Sequence, residues 1–313
     1  MNKPYCELPV QQGRALISAE ARIFGKQHPI ETVRDITIPG GVGDIPARLY
    51  RPAGIEGPSA ALVYFHGGGW VLGDLATADT VSRFLAHHAA LTVISIDYRL
   101  APEHPFPAGL QDALAAFNHV ATHPTDYNID PNAVGVGGES AGGNLTAVIA
   151  QQTALAARSE PTPTPAFQLL FMPVTDLSTR HDSYGPFGDG LFLTAGDMDW
   201  YRDHYLTDPT LVKDPRVSPL LAEDVSDVAP AYVVTAGFDV LRDEGEAYAR
   251  KLADAGVPVA LRRQRSMVHS MINATGISSA AREALIDAAG ALRLGLTSLA
   301  GRTPDQPPSQ QAD

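Results

Sequence analysis

A single cysteine, Cys6, stands among 313 residues, so no disulfide can form within the chain. Positive charge is scarce: 23 Lys and Arg face 35 Asp and Glu, for a net charge of -12. That balance argues against nucleic acid or an anionic membrane as the main partner and fits a solvated acidic surface. No apolar run approaches the ~20 residues needed to cross a bilayer. The opening Met1-Asn2-Lys3-Pro4-Tyr5 lacks the basic and then apolar pattern of a secretory leader, which makes a cytoplasmic location the default expectation. No His-Glu-x-x-His or comparable ligand cluster occurs, so a metal hydrolase is not expected. Internal repeats are missing too.

What the chain has is apolar content, 44% of its residues, distributed in short runs that alternate with helical patterns. Ala60–Phe65, Leu91–Ile96, Ala133–Val136, Ala166–Met172, Tyr232–Ala236 and Val257–Leu261 read as strands, several of them covered on both faces. Val33–Ile38 and Ile45–Arg51 read as a hairpin around Pro39-Gly40-Gly41. Helices are expected over Gln11–Gly25, Thr80–Ala89, Ala108–Val120, Ala195–Tyr205, Asp243–Ala255 and Ile277–Leu294. This alternation predicts an α/β fold with a mostly parallel, doubly wound sheet, whose ligands sit at the strand carboxyl ends. The chain reads as one domain over residues 1–300, with a disordered tail from 301 to 313. Between Thr175 and Leu221 the strand–helix rhythm stops and aromatics gather, including Tyr184, Phe187, Phe192, Trp200, Tyr201 and Tyr205. An insertion of that length suggests a lid or cap over the carboxyl ends.

Two glycine-rich stretches interrupt this pattern. His66-Gly67-Gly68-Gly69-Trp70 follows a strand, and its unshielded N–H groups can wrap an oxygen carrying negative charge. His66 is expected to brace the loop. Gly138-Glu139-Ser140-Ala141-Gly142 lies between a strand and a helix of small residues. The G-x-S-x-G pattern is weak alone, but this setting predicts a sharp turn. Gly138 and Gly142 avoid clashes there, and Ser140 is presented at the tip.

A serine hydroxyl needs a base, and the base needs a group to fix its tautomer. Most of the ten histidines lie in helical or polar stretches. His269 follows the last strand, downstream of Ser140, and is the candidate base. The carboxylate should lie between them in sequence. Asp239, at the end of a strand, is favoured, with Asp243 in reserve. Asp243 and Glu244 fall where the next helix begins, a place suited to dipole stabilisation.

These residues resemble the hormone-sensitive-lipase family of bacterial α/β-hydrolase esterases. The matching stretches are His66–Trp70, Asp97-Tyr98-Arg99-Leu100-Ala101-Pro102-Glu103, Gly138–Asn144 and Asp239–Gly245, in family order. The resemblance implies an eight-stranded, mostly parallel sheet with helices on both faces. It also implies a helical cap built from about residues 1–30 and 176–221. The implied activity is hydrolysis of short- to medium-chain carboxylesters without a cofactor. Ser140 would be nucleophile, His269 base and Asp239 acid, with oxyanion N–H groups from Gly67, Gly68 and Ala141. Two departures stand out. His269-Ser270-Met271 replaces the usual His-Gly-Phe, which changes the acyl-site shape, and Glu139 stands where many relatives have aspartate.

An amidase or deacetylase on the same triad and a non-catalytic small-molecule receptor are the competing readings. Arg262-Arg263-Gln264-Arg265, placed after the last strand, either protects a sheet edge from pairing or rims a homodimer interface. The sequons at Asn144 and Asn273 are read as coincidence.

Overall fold

The structure is a computed structural model and describes residues 4–297. The tail expected over 301–313 lies outside the described residues.

The sheet has eight strands in the order β1-β2-β4-β3-β5-β6-β7-β8. β1 (Thr32–Pro39) and β2 (Asp44–Arg51) form the expected hairpin, and β2 also pairs antiparallel with β4 (Thr92–Ile96). β3 (Ser59–Phe65), β4, β5 (Ile129–Glu139), β6 (Gln168–Phe171), β7 (Ala231–Phe238) and β8 (Val259–Val268) pair in parallel. The chain leaves β3 toward β4 on one side and returns to β5 on the other. The connections leaving the carboxyl ends of β3 and β5 therefore run to opposite sides and leave a crevice between them, the place where doubly wound sheets take ligands.

Helices cover both faces. α1 (Val10–Phe24) precedes the sheet, and α2 (Leu75–Ala89) links β3 to β4. α3 (Ala108–Thr122) and the short α4 (Pro124–Tyr127) lead into β5, and α5 (Ala141–Ala157) leaves it. α6 (Tyr184–Phe187) and α7 (Ala195–Tyr205) lie in the insertion between β6 and β7. α8 (Arg242–Asp254) connects β7 to β8, and α9 (Ser279–Thr297) closes the described chain. Side chains alternate across each strand. Val63 and Phe65 pack with Leu110 and Phe117 of α3 and Leu145 and Ile149 of α5. Leu62 and Tyr64 face the opposite layer, with Phe84 and Leu85 of α2 and Leu285 and Leu292 of α9. The central strands are buried on both sides, which is why their sequences are nearly continuous apolar runs.

Several boundaries differ from the sequence reading, and three of them have an evident local cause. α2 begins at Leu75 because Asp74 caps it: Asp74 Oδ1 accepts from Thr77 N at 2.8 Å, and Thr77 Oγ1 accepts from Asp74 N at 2.9 Å. α9 starts two residues later than expected, with Ser278 Oγ accepting from Ala281 N at 3.1 Å. β8 continues to Val268, so Arg262–Arg265 lie within the strand and do not follow it. β8 is an edge strand, where only one flank is paired and outward positions stay in water, so charge does not end it. Arg263 is held there by Glu246, with Nε–Oε1 at 2.6 Å.

Candidate active site

The crevice is built from the turn after β5. A Cβ on Gly138 would overlap the Gly142 carbonyl, and one on Gly142 would overlap the carbonyl oxygen of Phe65 at the end of β3. Only glycine lets strand, turn and helix approach so closely. Ser140 pays in backbone strain, with φ 56° and ψ -116°. A non-glycine residue in such a region typically costs about 1–3 kcal/mol and persists only when its surroundings overdetermine it. Here Ser140 N donates to Phe171 O at 2.8 Å, while Ser140 O accepts from Asn144 N at 2.9 Å. Asn144 Nδ2 in turn donates to the carbonyls of Val174 and Val217, fixing the first turn of α5.

β7 and β8 deliver two further groups to the same point. Asp239 directly follows β7, and His269 directly follows β8. His269 Nδ1 lies 2.8 Å from Asp239 Oδ2, and His269 Nε2 lies 3.0 Å from Ser140 Oγ. A carboxylate can only accept, so the proton sits on Nδ1 and leaves Nε2 free to accept from the serine hydroxyl. Asp239 Oδ1 accepts from Leu241 N at 3.0 Å, which fixes the carboxylate plane. Burial alone would lower the His269 pKa. The charge and hydrogen bond of Asp239, with a further contribution from Glu139, outweigh it and raise the pKa above the ordinary histidine value. Asp243, the reserve carboxylate, pairs instead with Arg242 at 2.7 Å. Its neighbour Glu244 is buried and accepts from the N–H groups of Thr175 and Asp176, anchoring the start of the insertion.

The glycine loop lies against the serine. A Cβ on Gly67 would come within 3.5 Å of Ser140 Cβ, so the Gly67 backbone borders the Ser140 side chain. Ala141 opens α5, whose first N–H groups have no carbonyl partner within the helix. His66 donates from Nδ1 to Gly67 O at 2.7 Å, and its ring stacks on Tyr98 at 4.4 Å. Tyr98 Oη donates to His66 O at 2.9 Å, so the loop is braced from both ends of one residue. Gly69 has φ 61° and abuts the Tyr201 ring, which occupies the space a Cβ would need. Trp70 stacks on Tyr205 at 4.2 Å. Two aromatics expected to shape a lid thus clamp the glycine loop.

A cavity of about 260 Å³ reaches Gly67, Gly68 and His269. Ile17, Glu20 and Phe24 of α1 line it, together with Phe192 of the insertion and Met271 and Ile277 beyond His269. Met271 therefore occupies a cavity position in the stretch where an aromatic is usual. Ser270 has φ 59° and ψ 8°, which explains why glycine is the usual residue after the histidine.

Two side chains that tie loops together around the site escaped sequence reasoning. Asn273 Nδ2 donates to Glu139 Oε2 at 2.7 Å, linking the His269 loop to the serine turn. Arg14 of α1 makes a bidentate pair with Glu103 at 2.7 and 2.9 Å and also donates to the carbonyls of Val71 and Ala101. An Asn within a loop and an Arg on a helix carry no local signal of such distant partners.

The α/β hydrolase fold family matches residues 62–273. The chain is 51% identical over 243 residues to the carboxylic ester hydrolase LipN of Mycobacterium tuberculosis, covering 77% of this chain and 64% of LipN. It is 38% identical to the esterase LipI of the same organism, over 92% of this chain and 90% of LipI. An ethyl acetate hydrolase of Pseudomonas putida is also 38% identical, over 90% and 88%. A thermostable esterase from Pseudomonas putida superposes with a TM-score of 0.90 at 37% identity, covering 95% of this chain and 93% of that one.

The chain belongs to the α/β-hydrolase fold family, in its hormone-sensitive-lipase group of serine carboxylic ester hydrolases. No helix among the described residues is long and apolar enough to cross a membrane.

Proposed function

We propose that this protein hydrolyses small carboxylic esters of short to medium acyl chain through an acyl-enzyme on Ser140. The observation that carries the reading is the contact chain from Ser140 Oγ to His269 Nε2 and from His269 Nδ1 to Asp239, at 3.0 and 2.8 Å. His269 takes the hydroxyl proton as Ser140 Oγ attacks the ester carbonyl, and Asp239 stabilises the imidazolium that forms. Negative charge developing on the carbonyl oxygen is received by the N–H groups of Gly67, Gly68 and Ala141. Loss of one such donor typically costs about 10²–10³ in kcat. His269 then gives its proton to the leaving alcohol. Water, activated by the same nitrogen, attacks the acyl-enzyme and releases the acid.

The size of the cavity, about 260 Å³, and its apolar side chains support chains of modest length. α1 and the segment 176–221 serve as a cap on this reading. The test is a series of 4-nitrophenyl esters from acetate to decanoate, run with wild type and Ser140→Ala. Turnover should peak at short or medium chains and vanish in the variant; turnover that survives the substitution would refute the acyl-enzyme assignment.

A further inference from the structure

The side of α1 that meets the cavity carries Ile17, Glu20, Ala21 and Phe24, the i, i+3, i+4, i+7 set of one helical face. Glu20 is the one ionisable residue among the four. It is half-buried, and its Oε2 accepts from Tyr5 Oη at 2.8 Å. Burial, and then the charge of Glu20, push the Tyr5 phenol well above its ordinary range. Tyr5 therefore stays a neutral donor and leaves the carboxylate its charge. Ester hydrolysis by Ser140, His269 and Asp239 makes no use of that charge. Among the described residues, no lysine or arginine lines the cavity.

Phe24 stands one helical turn beyond Glu20, a spacing that leaves about 5–6 Å between the two Cβ atoms. Gly276 N donates to Phe24 O at 2.9 Å and fixes this end of the helix. Phe24 keeps 37% of its surface exposed, and Phe192 of the insertion keeps 45%. Both line the cavity, so aromatic surface is accessible where the carboxylate lies. We propose that Glu20, with Phe24 and Phe192, forms a subsite for a cationic group carried by the ester, a quaternary ammonium above all. Aromatic faces attract such a cation through the ring quadrupole, and the carboxylate attracts it through space without needing a hydrogen bond. A carboxylate on the substrate would meet repulsion from Glu20. A plain alkyl end would cover Glu20 without offering it a counter-charge. Ile17 and Met271, on the same cavity, suit the carbon chain between the cation and the ester.

This subsite rests on the esterase reading, and two isosteric substrate pairs separate the two. 2-(Trimethylammonio)ethyl acetate is compared with 3,3-dimethylbutyl acetate, and 4-nitrophenyl 4-(trimethylammonio)butanoate with 4-nitrophenyl 5,5-dimethylhexanoate. Each pair differs by one charge at nearly constant shape, and alcohol and acyl sides are both sampled. Each kcat/KM is divided by the ester's own rate of hydroxide hydrolysis, which removes intrinsic reactivity. An apolar cavity without the subsite favours the neutral ester, because the cation gives up its hydration there. With the subsite, the corrected ratio should favour the cation by about tenfold or more in at least one pair. Glu20→Gln keeps an acceptor for Tyr5 and should lower that ratio about tenfold, with a Tm near that of wild type. Phe24→Leu should lower it several-fold. A ratio that does not favour the cation in either pair, or a preference that survives Glu20→Gln, would overturn the subsite while leaving the esterase intact. Failure to turn over all four esters and 4-nitrophenyl acetate would overturn both.

Discussion

Asn273 and Glu139, 134 residues apart in sequence, meet in a hydrogen bond of 2.7 Å between Nδ2 and Oε2. The bond joins the loop that carries His269 to the residue preceding Ser140, and a second donation at 3.3 Å from Nδ2 to Ser270 O stiffens the same loop. Asn273→Ala leaves a buried carboxylate without this donor, a loss worth about 1–3 kcal/mol. A lower Tm is expected, with a fall in kcat of roughly tenfold and a smaller change in KM. Thermal unfolding and steady-state kinetics measured together would check it; a changed KM with kcat intact would show that the bond shapes the cavity and does not position the base.

The pH dependence follows from the direction of the His269 shift. Its pKa is raised, and the base must be neutral to act, so activity is lost as pH falls through a value above the ordinary ~6.5. The acid limb of kcat/KM should therefore have its midpoint on the alkaline side of 6.5. Glu139 contributes to the raising, so Glu139→Gln should move that midpoint to lower pH. A midpoint unmoved by the substitution would remove Glu139 from the electrostatics of the base.

Arg14 and Glu103 offer a contrast between charge and geometry. The pair is partly exposed, with side-chain exposures of 24% and 47%, so solvent screening limits its own contribution to about 0–1 kcal/mol. Arg14 also caps two loop carbonyls, at 2.9 and 3.0 Å. Arg14→Ala should consequently destabilise more than Glu103→Gln, and it should impair esters that fill the space under α1 more than acetates. Urea unfolding and a chain-length profile of both variants would test the order.

Ser270 has the left-handed backbone conformation that favours glycine. Ser270→Gly should relieve it, offset in part by greater freedom of the unfolded chain, for a net gain of up to about 1 kcal/mol. The expected readout is a modestly higher Tm with the acid-limb midpoint unchanged, because among the described residues no hydrogen bond of the Ser270 side chain reaches Ser140, His269 or Asp239.

Much of the site can be read along the chain. The elbow at Gly138–Gly142, the loop at His66–Trp70 and the positions of Asp239 and His269 just after strands are all local patterns. Strand ends are where the fold gathers its ligands, so their order already suggests a common site. Other features were misjudged for physical reasons. The aromatic-rich segment signalled burial without saying against what, and Tyr201 and Tyr205 pack beside Gly69 and Trp70 in the loop that follows β3. Arg262–Arg265 looked like the end of a strand, but an edge strand tolerates outward charge.

The sequence by itself determined the alternation of strands and helices, the turn that forces Ser140 into a strained conformation, and the order of serine, acid and histidine. These depend on residues within one turn or one strand of each other, where backbone sterics and hydrophobic periodicity act. Tertiary structure alone decided that Asn273 ties the His269 loop to Glu139, and that Tyr64, His66 and Glu139 line one cavity. Such pairings are set by the register of strands that are distant in the chain, and no local pattern encodes so remote a partner.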